Sequence, residues 1–571
     1  MAKVKEKMRM GAVKKITLIV AIANKMIDEL GLTRIINERV EWDETHWRVS
    51  PGGLAKALVL STFTDMRAPL THIQDRLYDF DLSYLIGPEA GPHGANSFNV
   101  GRALERIGES DCSGMYETMA LTALTEYEMP VTRMNSDTTT VSFYGEYDME
   151  KMNLTAEEKE EILRIEKGYN KDGRPKCKQI LVGQVTNEHG LPLISRAMGG
   201  ATSDVEWNSK ALDHLDEMQE KGFKSGIYVA DCKLVTEGLI SRMHGSENRV
   251  QFVSRCPASF ENKLESRTIE RAYASGGWED VGQVGGGKHA SAYRCVSFIE
   301  TVCGSPARLL VAESSALAKK AWQSLDKERA KLGPLISCLE KKKFACRADA
   351  EKEYARFLAQ KEMKLFGCAE EITETIEQKW PRGRRGKDTR PAIVPTYQVR
   401  IKEVGRDPEA CRQYLQNKSC LVIISNVIDE SVTNRELLET YKGQHVVENS
   451  FRQLKSPNLA SVIYLKNPKR IGALTMLLTF SLLIRALIQY RLRDGLQKHA
   501  EQNPGVPIYA GWGGRELKNP TFKLLYEHSA NCYYEREGRG EYLFEWPFSE
   551  TRMYVEPLLA LMGISVKTLL L

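Results

Sequence analysis

The sequence predicts an α/β protein in which a mixed sheet with flanking helices follows an all-helical N-terminal domain and is interrupted by an inserted subdomain. Three observations support this prediction. Residues ~16 to 125 read as a series of short helices. From Met134 the pattern changes to apolar strands in the order βββαβαβ. Between Phe260 and Asn417 a Gly-rich stretch and a long Lys/Glu/Ala-rich helical stretch break this order, after which a strand and a helix follow.

These elements divide the 571 residues into five regions. Residues 1–125 form the helical N-terminal domain, a kind of module that binds DNA or serves as a scaffold or oligomerisation unit. Residues 126–260 and 418–495 form the two parts of the sheet-based core, and residues 261–417 form the inserted subdomain between them. Residues 496–571 form a C-terminal region of loops and short elements.

The net charge alone does not indicate a nucleic-acid partner, because 80 Lys and Arg oppose 75 Asp and Glu, which leaves +5. Two local stretches are strongly basic, namely "MAKVKEKMRMGAVKK" at the start and "KWPRGRRGKDTRP" at residues 379–391. Such clusters suit a phosphate backbone, and a solvated tail or loop explains each of them equally well. For the second stretch we predict sequence-independent DNA contacts by Arg382, Arg384 and Arg385.

The cysteines and the apolar segments indicate a protein of the reducing cytoplasm that does not span a membrane. The twelve cysteines include no CxxC pair and no Cys/His cluster at zinc spacing, so neither a disulfide framework nor a structural zinc site is indicated. The run from Ile471 to Tyr490 is nearly long enough to span a bilayer, but it contains Arg485, which favours a buried core helix.

The stretch "LLETYKGQHVVENSFRQLKSP", residues 437–457, predicts one helix with two different faces. The apolar stripe consists of Val447, Phe451 and Leu454. The polar stripe, which fills a sector of roughly 80° at about 100° per residue, consists of Tyr441, Gln444, Glu448, Arg452 and Lys455. A solvated face with a salt bridge accounts for Glu448 with Arg452, but it gives no reason for an aromatic and an amide beside them.

Two aspartates stand in or at the end of apolar strands, where a solvated carboxylate is unusual. Asp137 lies in "NSDTTTVSF" and Asp231 lies in "IYVADCKL". Buried acids need partners, and two divalent metal ions bound between adjacent strands, with Glu448 arriving from the later helix, would satisfy all three. Taken singly, an aspartate at a strand end is more often a turn or a helix cap. Within the order βββαβαβ, the three acids follow each other as in a ribonuclease H-like nucleotidyl-transfer site.

The same residues resemble the DDE transposases of bacterial insertion sequences, in the branch with a Tyr-x2-Arg-x3-Glu-x6-Lys signature. Here the signature stands as Tyr441-x2-Gln444-x3-Glu448-x6-Lys455. The stretch "SDTTTVSFYG" is similar to the family's Asp-Thr-Thr motif, and "YVADCKLVTEGLI" is similar to its second-Asp motif. The N-terminal "ELGLTRII…RVSPGGLAKALVL" resembles the helical leader of one subgroup. Gln444 replaces the family's usual Arg, so a phosphate contact there would be weaker or would pass to Arg452.

The resemblance implies a transposase with a ribonuclease H-like core that cleaves DNA and transfers its strands in the bacterial cytoplasm, at the nucleoid. Asp137, Asp231 and Glu448 would bind two Mg²⁺ ions, with Mn²⁺ able to substitute. The partner would be double-stranded DNA, both the terminal inverted repeats and the target, and the synaptic complex would contain a homodimer or a higher oligomer. The side chains that would hold the DNA beside the scissile phosphate are Tyr441, Gln444, Arg452 and Lys455.

The resemblance also implies that the inserted subdomain grips the transposon end, with an aromatic side chain that stacks on a flipped base. The candidates are Trp278, Trp322 and Trp380. Two alternatives stay open: a domesticated DNA-binding relative without catalysis, and a ribonuclease H-like nuclease without strand transfer. The intact acidic triad argues against the first, and the helix signature together with the insertion argues against the second.

Overall fold

The computed structural model describes residues 13–64, 70–91, 93–147, 162–245, 250–286, 290–380, 382, 390–456, 465–537 and 540–570. The chain forms two compact units. The first contains residues 1–234, 245–252 and 443–571, and the second contains residues 235–244 and 253–442. The order βββαβαβ predicted from the sequence is present between Arg133 and Arg255, and the α/β class is confirmed.

The secondary structure follows the chain in this order. The strands are β1 (Val13–Thr17), β2 (Arg133–Phe143), β3 (Lys178–Asn187), β4 (Pro192–Gly199), β5 (Ile227–Ala230), β6 (Phe252–Arg255), β7 (Glu279–Val284), β8 (Ser291–Val302), β9 (Ser305–Ser314), β10 (Phe366–Lys379), β11 (Ala392–Arg406), β12 (Cys420–Ser425), β13 (Tyr533–Glu537) and β14 (Leu543–Phe544). The α-helices are α1 (Leu18–Glu29), α2 (Leu32–Arg39), α3 (Pro51–Ser61), α4 (Ile73–Arg76), α5 (Leu82–Ile86), α6 (Ser97–Gly108), α7 (Cys112–Glu126), α8 (Asp204–Glu220), α9 (Glu237–Gly245), α10 (Leu264–Ser275), α11 (Ser315–Glu340), α12 (Arg347–Leu358), α13 (Pro408–Ser419), α14 (Asn434–Lys442), α15 (His445–Leu454), α16 (Pro468–Gln502), α17 (Phe522–His528) and α18 (Ser549–Leu561).

The sheet of the first unit is mixed, with the strand order β4-β3-β2-β5. Its central strand β2 pairs antiparallel with β3 and parallel with β5, and β3 pairs antiparallel with β4. Nearly all residues of β2 and β3 are buried, so these strands have apolar neighbours on both faces. The turn between β3 and β4 places Gly190 at φ +84°, which glycine adopts without strain.

Helices α7, α8 and α16 pack against this sheet. The fully buried Tyr116 of α7 donates a hydrogen bond to the carbonyl oxygen of Pro192 on β4, across 2.7 Å. Trp207 of α8 is also buried, and a Cβ atom at Gly183 of β3 would lie 2.3 Å from its ring. Glycine at this position of the strand therefore makes room for the indole.

The N-terminal region is helical as predicted except at its first described residues, where β1 pairs antiparallel with β13 near the other end of the sequence. The prediction of an all-helical N-terminal domain is therefore wrong for this strand. The sequence VKKIT does not indicate a strand because two of its five residues are lysines. In the structure Ile16 is fully buried, and Lys15 Nζ lies 2.7 Å from Glu535 Oε1 on β13. Helix α3 begins at Pro51 after the N-cap Ser50, whose Oγ accepts a hydrogen bond from Gly53 N.

The apolar run near residue 480 forms α16, of 35 residues. In the part of the chain that the structure describes, α16 alone is long and apolar enough to cross a membrane, and 89% of its most apolar stretch is buried inside the protein. It is the buried core helix that the sequence predicts. Arg485 within it donates a hydrogen bond to the carbonyl oxygen of Thr62 at 2.6 Å, and its guanidinium lies 5.3 Å and 5.2 Å from the ring centroids of Phe63 and Phe522.

The second unit contains antiparallel strands in the order β6-β12-β9-β8-β7 and a separate two-stranded ribbon, β10 with β11. Helices α11, α12 and α13 and the base of the ribbon share an apolar core. The basic stretch of the sequence lies between β10 and β11 along the chain. Arg382 and Arg390 are exposed there, whereas Arg384 and Arg385 lie outside the described residues.

The single helix predicted over residues 437–457 is in fact two helices, α14 and α15, with a turn at Gly443 and Gln444 between them. The apolar periodicity continues through this turn, so it gives no sign of the break. Glycine is a poor helix former, and a Cβ atom at Gly443 would lie 2.2 Å from the guanidinium carbon of Arg133 at the start of β2. The helix is therefore interrupted at the glycine that lies against the Arg133 side chain.

Candidate active site

Asp137 lies within β2 and Asp231 directly follows the last residue of the adjacent strand β5. β2 and β5 are parallel, and Asn135 pairs in register with Val229. Each aspartate follows two residues after its member of that pair, so the two carboxylates project from equivalent positions of neighbouring strands. The structure thus brings together two of the three acids that the sequence analysis singled out.

The electrostatic environment makes ionisation of both aspartates costly. The pKa of Asp137 is raised to about 6, chiefly by burial and further by the charges of Asp231 and Asp204, while Lys171 and the N–H of Thr138 act in the opposite direction. Burial also raises the pKa of Asp231, and the carboxylate of Asp204 adds to this effect. A cation placed among these groups lowers the cost of their charge.

Asp204 is a third carboxylate at this site, and the sequence analysis missed it. It is the first residue of α8, which follows the N-cap Ser203. Its Oδ1 accepts a hydrogen bond from Thr138 Oγ1, on the residue next to Asp137. An aspartate in the first turn of a helix is common because it compensates the helix dipole, so its position in the sequence carries no sign of a further role.

Lys171 brings a positive charge into the same site. Its Nζ lies 3.1 Å from Asp204 Oδ1 and 3.8 Å from Asp137 Oδ1. The ammonium also donates a hydrogen bond to the carbonyl oxygen of Thr138, across 3.0 Å. About a quarter of the Lys171 side chain is exposed, as is about a quarter of the Asp137 side chain, so the site opens to solvent. Nothing in the sequence indicates a role for Lys171, because a lysine in a polar loop is normally solvated.

Helix α15, which carries Glu448, packs against β2 and β3. Ser450 Oγ donates a hydrogen bond to Gln184 Oε1 at 2.9 Å, and Gln184 is the residue of β3 that pairs with Asp137. Glu448 itself is exposed on this helix. The helix therefore sits on the strand that bears the first acid, with the predicted third acid on its solvent side.

The other predicted residues of α15 have defined environments. Gln444 Nε2 donates a long hydrogen bond, 3.5 Å, to the carbonyl oxygen of Ser136. Lys455, the C-cap of the helix, forms an ion pair with Asp172 in which Nζ and Oδ1 are 2.6 Å apart. Arg452 is exposed.

The remaining predicted DNA-binding residues belong to the second unit. Tyr441 is half-buried on α14, and Arg382, between β10 and β11 along the chain, is exposed. Among the tryptophans, Trp278 packs against Tyr273 and lies under the guanidinium of Arg294, as a structural residue does. Trp322 and Trp380 are 49% and 42% exposed, and the guanidinium of Arg406 lies 5.6 Å from the ring centroid of Trp322.

The residues around Asp137 fit a divalent cation of the Mg²⁺ type. The donors of Asp137, Asp231 and Asp204 are all hard carboxylate oxygens, which Mg²⁺ and Mn²⁺ prefer. Besides burial, the charges of Asp231 and Asp204 raise the pKa of Asp137 and the charge of Asp204 raises that of Asp231, so a cation would stabilise the ionised forms of these acids. Asp137 and Asp231 would hold such an ion, with Asp204 beside them and Glu448 available from α15.

A second group of possible metal ligands consists of Glu117, His214 and Glu217, whose ligand atoms lie within 4.8 Å of one another. Glu117 Oε1 is 2.7 Å from His214 Nδ1. The guanidinium of Arg196 lies 3.3 Å from the other ring nitrogen, Nε2, and can only donate to it. Among the residues that the structure describes, neither Glu117 Oε1 nor His214 Nδ1 has a hydrogen-bond partner of normal geometry, so this group between α7 and α8 is a second candidate site for a cation.

Comparison with known families covers only the N-terminal part of the chain. Residues 12–121 match the family model described as a domain of unknown function (DUF4277). A search of curated proteins found no match to the chain. The matched segment ends before β2 and contains none of the acids at the site, so the activity has to be argued from the site itself.

Proposed function

We propose that the protein is a DNA transposase of an insertion sequence, with a ribonuclease H-like catalytic core that cleaves and joins DNA in a metal-dependent reaction. The observation that carries this proposal is the pair of aspartates that each follow, by two residues, the paired residues Asn135 and Val229 of the parallel strands β2 and β5. Burial, with a contribution from the charge of Asp231, raises the pKa of Asp137. Two such acids beside the sheet suit chemistry on a phosphodiester better than they suit packing. The resemblance of the surrounding motifs to DDE transposases supports the same conclusion.

The acids would act as ligands for two Mg²⁺ or Mn²⁺ ions. When bound, such ions activate a water or a DNA 3′-hydroxyl and stabilise the leaving oxygen. Asp137 and Asp231 contribute oxygens from fixed strand positions, and Glu448 contributes a third carboxylate from α15. The hydrogen bond of Ser450 to Gln184 holds that helix on the sheet, and Glu448, on the exposed side of the helix, would reach the ions from there.

The DNA would lie along the exposed side of α15. Lys455 and Arg452 supply positive charge for phosphate oxygens, and Gln444 supplies a neutral donor from a position beside β2. Tyr441, Arg382, Arg384 and Arg385 add contacts to double-stranded DNA from the second unit. The partners are the terminal inverted repeats and the target DNA, bound by a homodimer or a higher oligomer at the nucleoid of the bacterial cytoplasm.

The proposal is tested with the full-length chain and a DNA duplex that carries the sequence flanking its gene. Cleavage at the element end and joining to a second duplex are measured with Mg²⁺, with Mn²⁺ and in EDTA. We expect both steps with either ion and neither step in EDTA. Asp137→Asn, Asp231→Asn and Glu448→Gln should each abolish both steps while the melting curve keeps a single transition.

Glu220→Gln is the matched control, because Glu220 is an exposed carboxylate on α8 away from the site. It should cleave and join like the wild type. Cleavage without joining would identify a nuclease and contradict strand transfer. End-binding without cleavage by the wild type would identify a DNA-binding relative. Cleavage that persists in EDTA would contradict the metal-dependent mechanism as a whole.

A further inference from the structure

Residues 170–173 form a turn of the first unit in which two neighbouring side chains carry opposite charges. Each of them contacts a residue to which the proposed function gives a role in binding metal or DNA. Lys171 reaches the acids of the site, and its neighbour Asp172 reaches Lys455. Adjacent residues of one short turn thus pair with a proposed metal ligand, Asp137, and with a proposed phosphate-binding residue, Lys455.

The ammonium of Lys171 occupies an environment of oxygen atoms. Three oxygens surround its Nζ: Asp204 Oδ1 at 3.1 Å, the carbonyl oxygen of Thr138 at 3.0 Å and Asp137 Oδ1 at 3.8 Å. Thr138 Oγ1 accepts a further hydrogen bond from it. A cation surrounded only by oxygens is what a divalent ion would experience in the same place, apart from its shorter ligand distances.

Asp172 has the corresponding role at Lys455. Its Oδ1 lies 2.6 Å from Lys455 Nζ, and the two side chains are 31% and 27% exposed. A carboxylate presents two anionic oxygens to an ammonium much as a phosphodiester does. The pair is therefore an internal copy of the contact that Lys455 would make with a DNA strand.

The turn is built so that these two side chains can leave while the backbone stays in place. Asn170 anchors it: its Nδ2 donates to Ser142 Oγ at 3.0 Å and to Gln179 Oε1 at 2.8 Å. The Asn170 Oδ1 accepts from Asp172 N, and Gly173 adopts φ +70°. Lysine and aspartate side chains extend from this fixed base and move by rotation about their own bonds.

We propose that this turn occupies the active site of the metal-free and DNA-free protein, with Lys171 in the place of a divalent cation and Asp172 in the place of a DNA phosphate. The inference rests on the proposed function. Metal and DNA must each displace one side chain of the turn, so the internal ion pairs weaken the binding of both. In return the turn relieves the repulsion among the acids until the substrates arrive.

The first test measures Mn²⁺ binding to the full-length protein without DNA, by titration calorimetry. Lys171→Met removes the competing ammonium and should raise the Mn²⁺ affinity by about tenfold. Lys176→Met, which removes an exposed lysine shortly after the turn, should leave the affinity within about twofold of the wild type. Equal or weaker Mn²⁺ binding by Lys171→Met, with clear binding by the wild type, overturns the inference alone.

The second test measures the affinity for an end-bearing DNA duplex in EDTA by fluorescence anisotropy. Asp172→Asn should tighten binding by about three- to tenfold. Because the effect passes through Lys455, the same change should do nothing in a Lys455→Ala background. An equal gain in both backgrounds would show that Asp172 only repels DNA at long range and would overturn the pairing. Absence of Mn²⁺ binding by both the wild type and Lys171→Met would instead refute the proposed function, and the inference with it.

Discussion

Trp207 Nε1 donates a hydrogen bond to Ser136 Oγ, with 3.0 Å between the two atoms. Ser136 precedes Asp137 on β2, so the buried indole of α8 holds the strand at the position of the first acid. A carboxylate that binds a metal has to stay within about 0.5 Å of its working position. The contact between these two residues therefore links the packing of α8 to the chemistry proposed for the site.

The first prediction concerns the space that this indole needs. Gly183→Ala would place a Cβ atom 2.3 Å from the Trp207 ring, which has no room to move in a buried position. We expect a loss of about 1–3 kcal/mol in the free energy of unfolding from overpacking, measured by urea denaturation. Cleavage should fall more than stability explains, because β2 shifts with the indole. Gly238→Ala, at a helical glycine with open space around it, is the control and should be neutral or stabilising.

The second prediction separates the two sides of α15. Phe451 is 5% exposed on the packing side, whereas Arg452 is exposed. Phe451→Ala should cost about 3–5 kcal/mol of unfolding free energy. Arg452→Ala should change stability by no more than about 0.5 kcal/mol and should weaken DNA binding. Comparable stability losses in both variants would mean that the sides of the helix are assigned wrongly.

The third prediction concerns the position at which the family signature differs. Gln444→Arg keeps a donor for the carbonyl oxygen of Ser136 and adds a charge, so it should tighten binding to the element end. The slope of log affinity against log salt should steepen by about 0.9, as for one additional phosphate contact. Gln444→Met is the uncharged control and should leave the slope unchanged. An identical slope for Gln444→Arg would show that this position does not face phosphate.

The fourth prediction is a dependence of stability on pH that arises from Asp81. Burial alone would raise its pKa, but hydrogen bonds from Ser83 and Tyr542 and the ion pair with Arg536 outweigh burial and lower it. A lowered pKa stabilises the folded state above the ordinary value of about 4, and this stabilisation is lost as pH falls through the folded-state pKa. Asp81→Asn should therefore melt at a lower temperature than the wild type at neutral pH.

Melting temperatures of both proteins between about pH 7 and pH 3 check this. The gap between them should stay constant down to about pH 5 and close below about pH 4. Glu541→Gln, which removes an exposed carboxylate near Tyr542 in sequence, should show no such gap. A gap of constant size down to the lowest pH would contradict the role given to the charge of Asp81.

Much of the fold could be predicted from the sequence because the responsible signals are local. The strands around the site alternate or run apolar over lengths that only a sheet accommodates. The start of α14 follows from a local spacing, because Thr433 and Glu436, three residues apart, form a capping box in which Glu436 Oε2 accepts from Thr433 N at 2.8 Å. The burial of the α16 segment follows from its composition and from Arg485, whose pKa is lowered to about 10 by that burial.

The parts that could not be predicted depend on contacts between distant residues. β1 contains two lysines in five residues and is a strand only because β13 pairs with it. The break at Gly443 depends on the position of Arg133. Likewise, nothing in the local sequence of Asp204 or Lys171 shows that the fold brings them to Asp137, since helix starts and loops are the ordinary places for such residues.

The pairing of β1 with β13 has a consequence for how the protein is made. When a ribosome has released the whole segment 12–121, the strand partner and the carbonyl oxygen of Cys532, which accepts from Leu18 N at 2.8 Å, have not yet been synthesised. Until then β1 has no strand partner, and its unpaired edge can associate with other nascent chains. The strand β1 is paired only after residues 533–537 have been synthesised, and the same segment expressed alone would carry that open edge permanently.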